Sequence, residues 1–164
     1  GKGHHCIGVD YSHNVLAVAR RKGSHEPYVQ ADAYHLPFHN EAFDAVVCIG
    51  VLQSLDGTSE ALSEISRVLA RGGWLFLDGL NRFFWVRWLR RLRLFPPADQ
   101  KRLNDYNPYN IRLMSEQFGF RQPEIHWLAV PRHAQRITRP PSGHRLSFTG
   151  TVLGHSFLLL ATKV

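Results

Sequence analysis

Asp10 and Asp32 each close a short apolar run, Cys6-Ile7-Gly8-Val9 and Tyr28-Val29-Gln30-Ala31. A polar turn with Gly50, Gln53 and Ser54 closes a third run, which is apolar from Ala45 to Ile49. If the three runs are parallel strands, both acids and the turn open on one edge, where open parallel sheets bind ligands. A carboxylate there offers two acceptor oxygens in one plane, which suits the paired hydroxyls of a ribose. Taken alone, Asp10 is equally a solvated strand-end acid. Other chemistries have less support. His4 and His5 are adjacent and point apart on a strand, no H-E-x-x-H occurs among ten histidines, and no metal site is expected. The two cysteines, Cys6 and Cys48, form no pair motif and read as buried reduced thiols. No G-x-S-x-G or P-loop is present.

The elements that must position these residues follow from periodicity. Cys6 to Val9 reads as a strand, and Val15, Leu16 and Ala19 then recur at helical spacing, with Ser12 as cap, Arg20-Arg21-Lys22 at the negative end and Gly23 beyond. A second strand covers Tyr28 to Ala31, and Pro37 argues against a helix in the loop that follows. The unbroken apolar run at 45–49 predicts a central parallel strand buried on both faces. Thr58 to Ala70 forms a complete amphipathic helix through Ala61, Leu62, Ile65, Val68 and Leu69, with Gly72-Gly73 beyond its end and the strand Trp74 to Leu77 next. Such alternation implies a parallel sheet. Later, Asn110 to Phe118 reads as a helix, Pro123 to Val130 and Ser156 to Ala161 as strands, and Pro131 to Gly143 as an exposed loop.

The order of motifs is more specific than any one of them. Gly8-Val9-Asp10-Tyr11-Ser12, Ala31-Asp32-Ala33 with Leu36-Pro37-Phe38, Phe43-Asp44-Ala45-Val46-Val47, and Leu62 to Leu69 with Gly72-Gly73 follow one another. In this arrangement the chain resembles class I S-adenosylmethionine-dependent methyltransferases, in particular the small-molecule branch that includes ubiquinone and menaquinone biosynthesis enzymes. The resemblance is dense over residues 5–81 and loose through Tyr109 to Phe120 and Phe157 to Lys163. It implies a Rossmann-like α/β fold, with a mostly parallel sheet, helices on both faces and an antiparallel last strand. It also implies S-adenosylmethionine as cofactor. By this resemblance Asp10 holds the ribose hydroxyls and Tyr11 lies against the adenosine. Asp32 takes the adenine amino group, Ala33 gives a backbone contact, and Leu36 walls the adenine site. Cys48, Ile49 and Gln53 face the methionine part and the transferred methyl. Glu64, Arg67 and Gly73 match the family too, but read as helix surface charges and a tight turn.

One departure concerns the first strand of that family and its glycine-rich turn, which precede the strand ending in an Asp10-like acid. Gly1-Lys2-Gly3 does not supply them, so the expectation is a chain lacking this N-terminal part and a sheet with its middle strand unfilled. The 164 residues are otherwise read as a single domain, with an inserted basic amphipathic segment at 82–107. Within it Phe84, Trp85, Trp88, Leu89, Leu92 and Phe95 fall on one half of a helical wheel, and Arg82, Arg87, Arg90, Arg91 and Arg93 on the other. That is the pattern of an interfacial helix, on anionic lipid or over an apolar substrate, and equally of a surface helix docked by its aromatic face.

Charge bears on partners. Residues 1–81 hold 6 basic and 9 acidic side chains, residues 82–102 hold 7 and 1, and residues 103–164 hold 7 and 3, for a net +7. The excess is concentrated in one segment and the tail, whereas a nucleic-acid domain is more often basic across a face, and no Asn/Asp-Pro-Pro-aromatic motif follows residues 45–49. Nucleic acid is therefore not the expected partner. The expected reaction is methyl transfer to an O, N or C atom of a small or lipid-linked molecule. The expected location is the cytoplasm, with contact to a membrane surface through 82–95. Alternatives are an RNA methyltransferase or binder, a non-catalytic module of the same fold, and, more weakly, a nicotinamide-binding domain. His35, His39, His126 and Tyr106 are candidate bases by type, and none is assigned as catalytic.

Overall fold

The computed structural model describes residues 3, 5–22, 26–82, 92, 104, 106–129, 136–137 and 156–164. Gly23, nearly all of 82–103 and the stretch 131–143 except residues 136–137 lie outside these residues, and with them the expected basic amphipathic helix and exposed loop.

The first half alternates strand and helix. Strand β1 (Gly8–Asp10) leads to helix α1 (His13–Arg21), which starts where the Ser12 hydroxyl accepts from the Val15 amide. Strand β2 (Tyr28–Gln30) pairs with β1 in parallel, residue 8 opposite 28. Gly8 makes room for its neighbour: a Cβ on it would stand 2.5 Å from the Tyr28 ring, which would have to move. Strand β3 (Phe43–Cys48) precedes a short 3-10 turn at Leu52–Ser54 and helix α2 (Thr58–Val68), whose buried stripe is Ala61, Leu62, Ile65 and Val68.

Strand β4 (Leu69–Leu80) follows α2 without a break. The helix thus ends two residues earlier than periodicity predicts, and Leu69 is already extended at φ −82°, ψ 133°. Gly73 has a packing role: a Cβ on it would stand 2.8 Å from the Ala70 carbonyl oxygen and 2.9 Å from that of Asp44. Only glycine lets β4 run this close to β3. Helix α3 (Pro108–Gln117) is capped by Asn107, and strands β5 (Phe120–Ala129), β6 (Arg136–Ile137) and β7 (Ser156–Lys163) complete the described elements.

These strands form two sheets, β1-β2 and β3-β4-β7-β5-β6. The pair β3-β4 is parallel, and β7 enters antiparallel between β4 and β5. The core lies on the larger sheet, where Leu75 and Leu77 of β4 and Phe157 and Leu159 of β7 are fully buried with Leu52 and Leu62.

The structure departs from the sequence reading at β3. The run 45–49 predicts a strand buried on both faces, yet β3 is the edge of its sheet, with Val47 65% and Ile49 60% exposed. Among the described residues no strand pairs with the free edge of β3 or with that of β1, and no element covers the face that Ala45, Val47 and Ile49 share. The composition is that of an interior strand, and the exposure follows from the break between the sheets.

Candidate functional site

A cavity of about 700 Å³ lies at that break, within the usual range for ligand pockets. Its wall takes Asp10 and Tyr11 from the end of β1, Asp32, Ala33 and Leu36 from the loop after β2, and Cys48 from β3. The sheet edge therefore gathers six of the eight residues named from the sequence. The other two stand apart. Ile49 is exposed and does not line the cavity, and Gln53 sits in the 3-10 turn, its carbonyl accepting from Asn104 N at 2.7 Å. The Gln53 Oε1 is buried without a hydrogen-bond partner.

Both acids are oriented by their own turns. Asp10 Oδ1 accepts from Ser12 N at 2.7 Å, and Asp32 Oδ1 accepts from Tyr34 N at 3.0 Å. These Asx turns engage one oxygen of each carboxylate, and the second can still accept a hydrogen bond. Ala31 N donates to the Asp10 carbonyl at 3.1 Å, which extends the β1-β2 ladder and keeps the two acids on neighbouring strand ends. Tyr11 is 75% exposed, a ring available for a ligand to lie against.

Cys48 is no nucleophile. Burial, with a smaller contribution from the nearby Asp78 carboxylate, pushes its thiol up to about 12, so it is a neutral apolar wall. Asp78 itself accepts from Gly50 N at 2.7 Å, and Gly50 has a φ of 75°. The turn after β3 is thereby fastened to the end of β4.

Sequence reasoning missed the fastenings of the cavity mouth. The Tyr34 hydroxyl accepts from Asp56 N and Gly57 N, both at 3.0 Å, and so ties the loop after β2 to the approach to α2. Nothing in the spacing of Tyr34 signals this long-range contact. Glu64 and Arg67, read as surface charges, are half-buried and hold the segment 36–41. Nothing in their (i, i+3) spacing signals this contact with a loop 28 to 31 positions earlier.

None of the candidate bases lines the cavity. His35 and His39 stand exposed on the loop, four apart but without the helix that would put them on one face. His126 lies 3.5 Å from Glu124 on β5, and Tyr106 donates to the Leu52 carbonyl and accepts from Thr58 Oγ1. Tyr106 also bridges Asn81, with Tyr106 N donating to the Leu80 carbonyl and Arg82 N to the Tyr106 carbonyl. Residues 80–82 and Tyr106 therefore lie side by side. Among the described residues no group of three ligating side chains could hold a metal ion, and no helix is long and apolar enough to cross a membrane.

Comparison with known proteins agrees with the fold. Residues 1–77 match the family model described as a methyltransferase domain. A demethylmenaquinone methyltransferase from Streptomyces avermitilis is 35% identical over 128 residues, which is 75% of this chain and 55% of that protein. The Thermus thermophilus demethylmenaquinone methyltransferase is 40% identical over 75 residues, 43% of this chain and 34% of that protein. A human protein named "Probable tRNA methyltransferase 9B" is 34% identical over 111 residues, 58% of this chain and 24% of that protein. The chain thus spans about a quarter to about half of these relatives. Among solved structures, a SAM-dependent methyltransferase from Thermotoga maritima superposes with a TM-score of 0.74 at 20% identity, covering 96% of this chain and 72% of that one. The magnesium protoporphyrin IX methyltransferase of Synechocystis, with bound SAH, gives a TM-score of 0.67 at 18% identity, over 96% of this chain and 64% of that one.

Proposed function

We propose, from the premise that the chain resembles class I S-adenosylmethionine-dependent methyltransferases in sequence over residues 1–77 and in fold throughout its described residues, that its cavity holds S-adenosylmethionine for methyl transfer to a small or lipid-linked acceptor. One observation carries this reading. Two carboxylates on adjacent strand ends face one cavity, each with one oxygen held by its own Asx turn. That pair of acceptors fits a nucleoside: a charged oxygen for the ribose hydroxyls at Asp10 and one for an exocyclic amine at Asp32, with apolar Leu36 and Phe38 beside it.

Asp10 would hold the ribose, Tyr11 would lie against the adenosine, and Asp32, Ala33 and Leu36 would hold the adenine. Cys48 is assigned to the methionine side; Ile49 and Gln53, which do not line the cavity, are placed there by the family resemblance alone. The bound sulfonium supplies an already activated methyl group. The protein's part is to align donor and acceptor and to exclude water. The neutral Cys48 thiol suits this, since it neither competes as a nucleophile nor adds charge. A base is needed only for an acceptor whose proton is hard to remove, and no residue is assigned to that role.

The demethylmenaquinone methyltransferase relatives support an apolar small-molecule acceptor. The relative named as a tRNA methyltransferase, with the net charge of +7, favours RNA as the second reading. The segment 82–95 is proposed as the contact with lipid or apolar substrate, and a cytoplasmic location goes with it. Calorimetric titration of the full-length natural protein with S-adenosylhomocysteine tests the cofactor reading, and absence of binding refutes it. Steeply salt-dependent RNA binding, with no methylation of quinone-type acceptors, would favour the second reading.

A further inference from the structure

We propose that Glu64 and Arg67 are positioning residues of the cavity, a clamp on α2 that sets the loop 32–41 and through it the placement of Asp32 and Leu36. The proposal rests on the cofactor reading above and concerns two residues that line no part of the cavity.

A Glu-Arg pair three residues apart on a helix surface ordinarily contributes little. This pair differs in what else it holds. Arg67 Nε and Nη2 donate to the two oxygens of Glu64, each at 2.8 Å, a bidentate fork. Nη2 also donates to the Leu36 carbonyl at 2.9 Å, and Nη1 to the Phe38 carbonyl at 2.7 Å and to Asn40 Oδ1 at 3.1 Å. Glu64 Oε2 accepts in turn from Leu36 N at 2.9 Å, and the Arg67 carbonyl from Glu41 N at 2.9 Å. Four backbone groups between residues 36 and 41 thus have their partners on one turn of α2.

The loop needs them. Pro37 lacks an amide hydrogen, and a segment with no ladder of its own must find partners for its buried polar groups elsewhere. The clamped residues are also the ligand wall, since Leu36 and Phe38 line the cavity. Phe38 is held a second time, with its ring edge-on to Phe43 of β3 at 4.8 Å. Asp32 stands at the loop's start, where His35 N donates to its carbonyl. Lysine at 67 would keep the charge and lose the planar fork that reaches Glu64 and two carbonyls together.

The experiment uses the full-length natural protein as wild type, Arg67→Met, Arg67→Lys and the near-isosteric Glu64→Gln. Hydrogen exchange of the loop reads positioning without ligand. We expect exchange over 32–41 to quicken at least tenfold in both Arg67 variants, with 69–80 within twofold of wild type. Calorimetry then compares S-adenosylhomocysteine with S-inosylhomocysteine, whose carbonyl replaces the adenine amine. Wild type should prefer the adenine form at least tenfold, and the ratio should fall toward one in both Arg67 variants, with Lys giving no rescue. Glu64→Gln should give an intermediate ratio, and it decides the matter if Arg67→Met does not fold. Variants that melt earlier but keep the ratio and the loop exchange overturn the clamp, because a merely stabilising ion pair predicts that pattern. Wild type that binds neither ligand overturns the cofactor reading and this assignment with it, while a discriminating wild type with unchanged variants overturns the clamp alone.

Discussion

Asp10 can be divided into its structural and its ligand-binding halves by Asp10→Asn. Asparagine keeps an Oδ1 to accept from Ser12 N, the 2.7 Å contact that shapes the turn into α1, but replaces the charged second oxygen by an NH2 donor. Hydrogen bonds to charged groups contribute about 1.5–3 kcal/mol, so losing one charged acceptor for a ribose hydroxyl should weaken S-adenosylhomocysteine about 10- to 150-fold at roughly 1.4 kcal/mol per decade. The melting temperature should stay near that of wild type, since the turn survives. Asp10→Ala removes both halves. It should lose binding as well as about 1 kcal/mol of turn and cap stability, a fall of about 2–4 °C for a domain of this size. Calorimetry and a thermal melt on the full-length natural protein make the comparison. An Asn variant that binds as tightly as wild type would take Asp10 out of the site, whatever its effect on melting.

The Arg67 hydrogen bonds hold the Glu64 carboxyl down to about 2, with the Leu36 amide adding to them. Because the folded value lies below the unfolded one, the unfolded state binds more protons between them, and the stabilisation is present above about pH 4.5 and lost as pH falls toward 2. Urea titrations should therefore find the gap between wild type and Glu64→Gln shrinking across that window, and a gap independent of pH would contradict the assignment. Only Cys48 is buried as both cysteines were expected to be; Cys6 precedes the short strand β1 and is exposed, so with iodoacetamide at pH 8 it should be alkylated and Cys48 spared, as read by mass spectrometry; equal labelling of the folded protein would disprove the burial. The segment 82–95 should carry the protein onto anionic vesicles at low salt and far less onto neutral ones, with Trp85→Ala combined with Trp88→Ala reducing sedimentation. No sedimentation at low salt retires the lipid contact.

Local order was readable where the signal is local. Ser12 as a cap, the Ala61-Leu62-Ile65-Val68 stripe and strand ends read at Val9 and Ile49, each one residue from the observed Asp10 and Cys48, all depend on neighbours a few residues away. The end of α2 was misplaced because Leu69 and Ala70 fit a helix as well as a strand, and the pairing of Phe43 with Leu69 decides for the strand. Burial of β3 was overestimated because its composition records which surroundings suit it, while its exposure depends on which strands lie beside it. Tyr11, Ala33, Leu36 and Cys48 at the cavity wall came only with the family resemblance, whereas Asp10 and Asp32 there were legible as acids at strand ends. The fastenings of Tyr34 and Arg67 were not, since they join residues 22 to 31 positions apart through loop geometry that no periodicity encodes.

The break between the sheets has a consequence for affinity. A two-stranded sheet is marginal by itself, and β1-β2 has α1 as its packed helix. Its fastenings to the larger sheet are the hydrogen bonds of Tyr34 and of the Arg67-held loop and the Phe38-Phe43 contact, whereas the larger sheet is built on a continuous apolar core. The smaller unit should therefore undock at a lower free energy than the whole domain unfolds. A ligand that touches Asp10 on one unit and Cys48 on the other binds only the docked form, so its apparent dissociation constant is the intrinsic one divided by the docked fraction. Whatever fills the space between β1 and β3 would then strengthen ligand binding without touching the ligand, by raising that fraction.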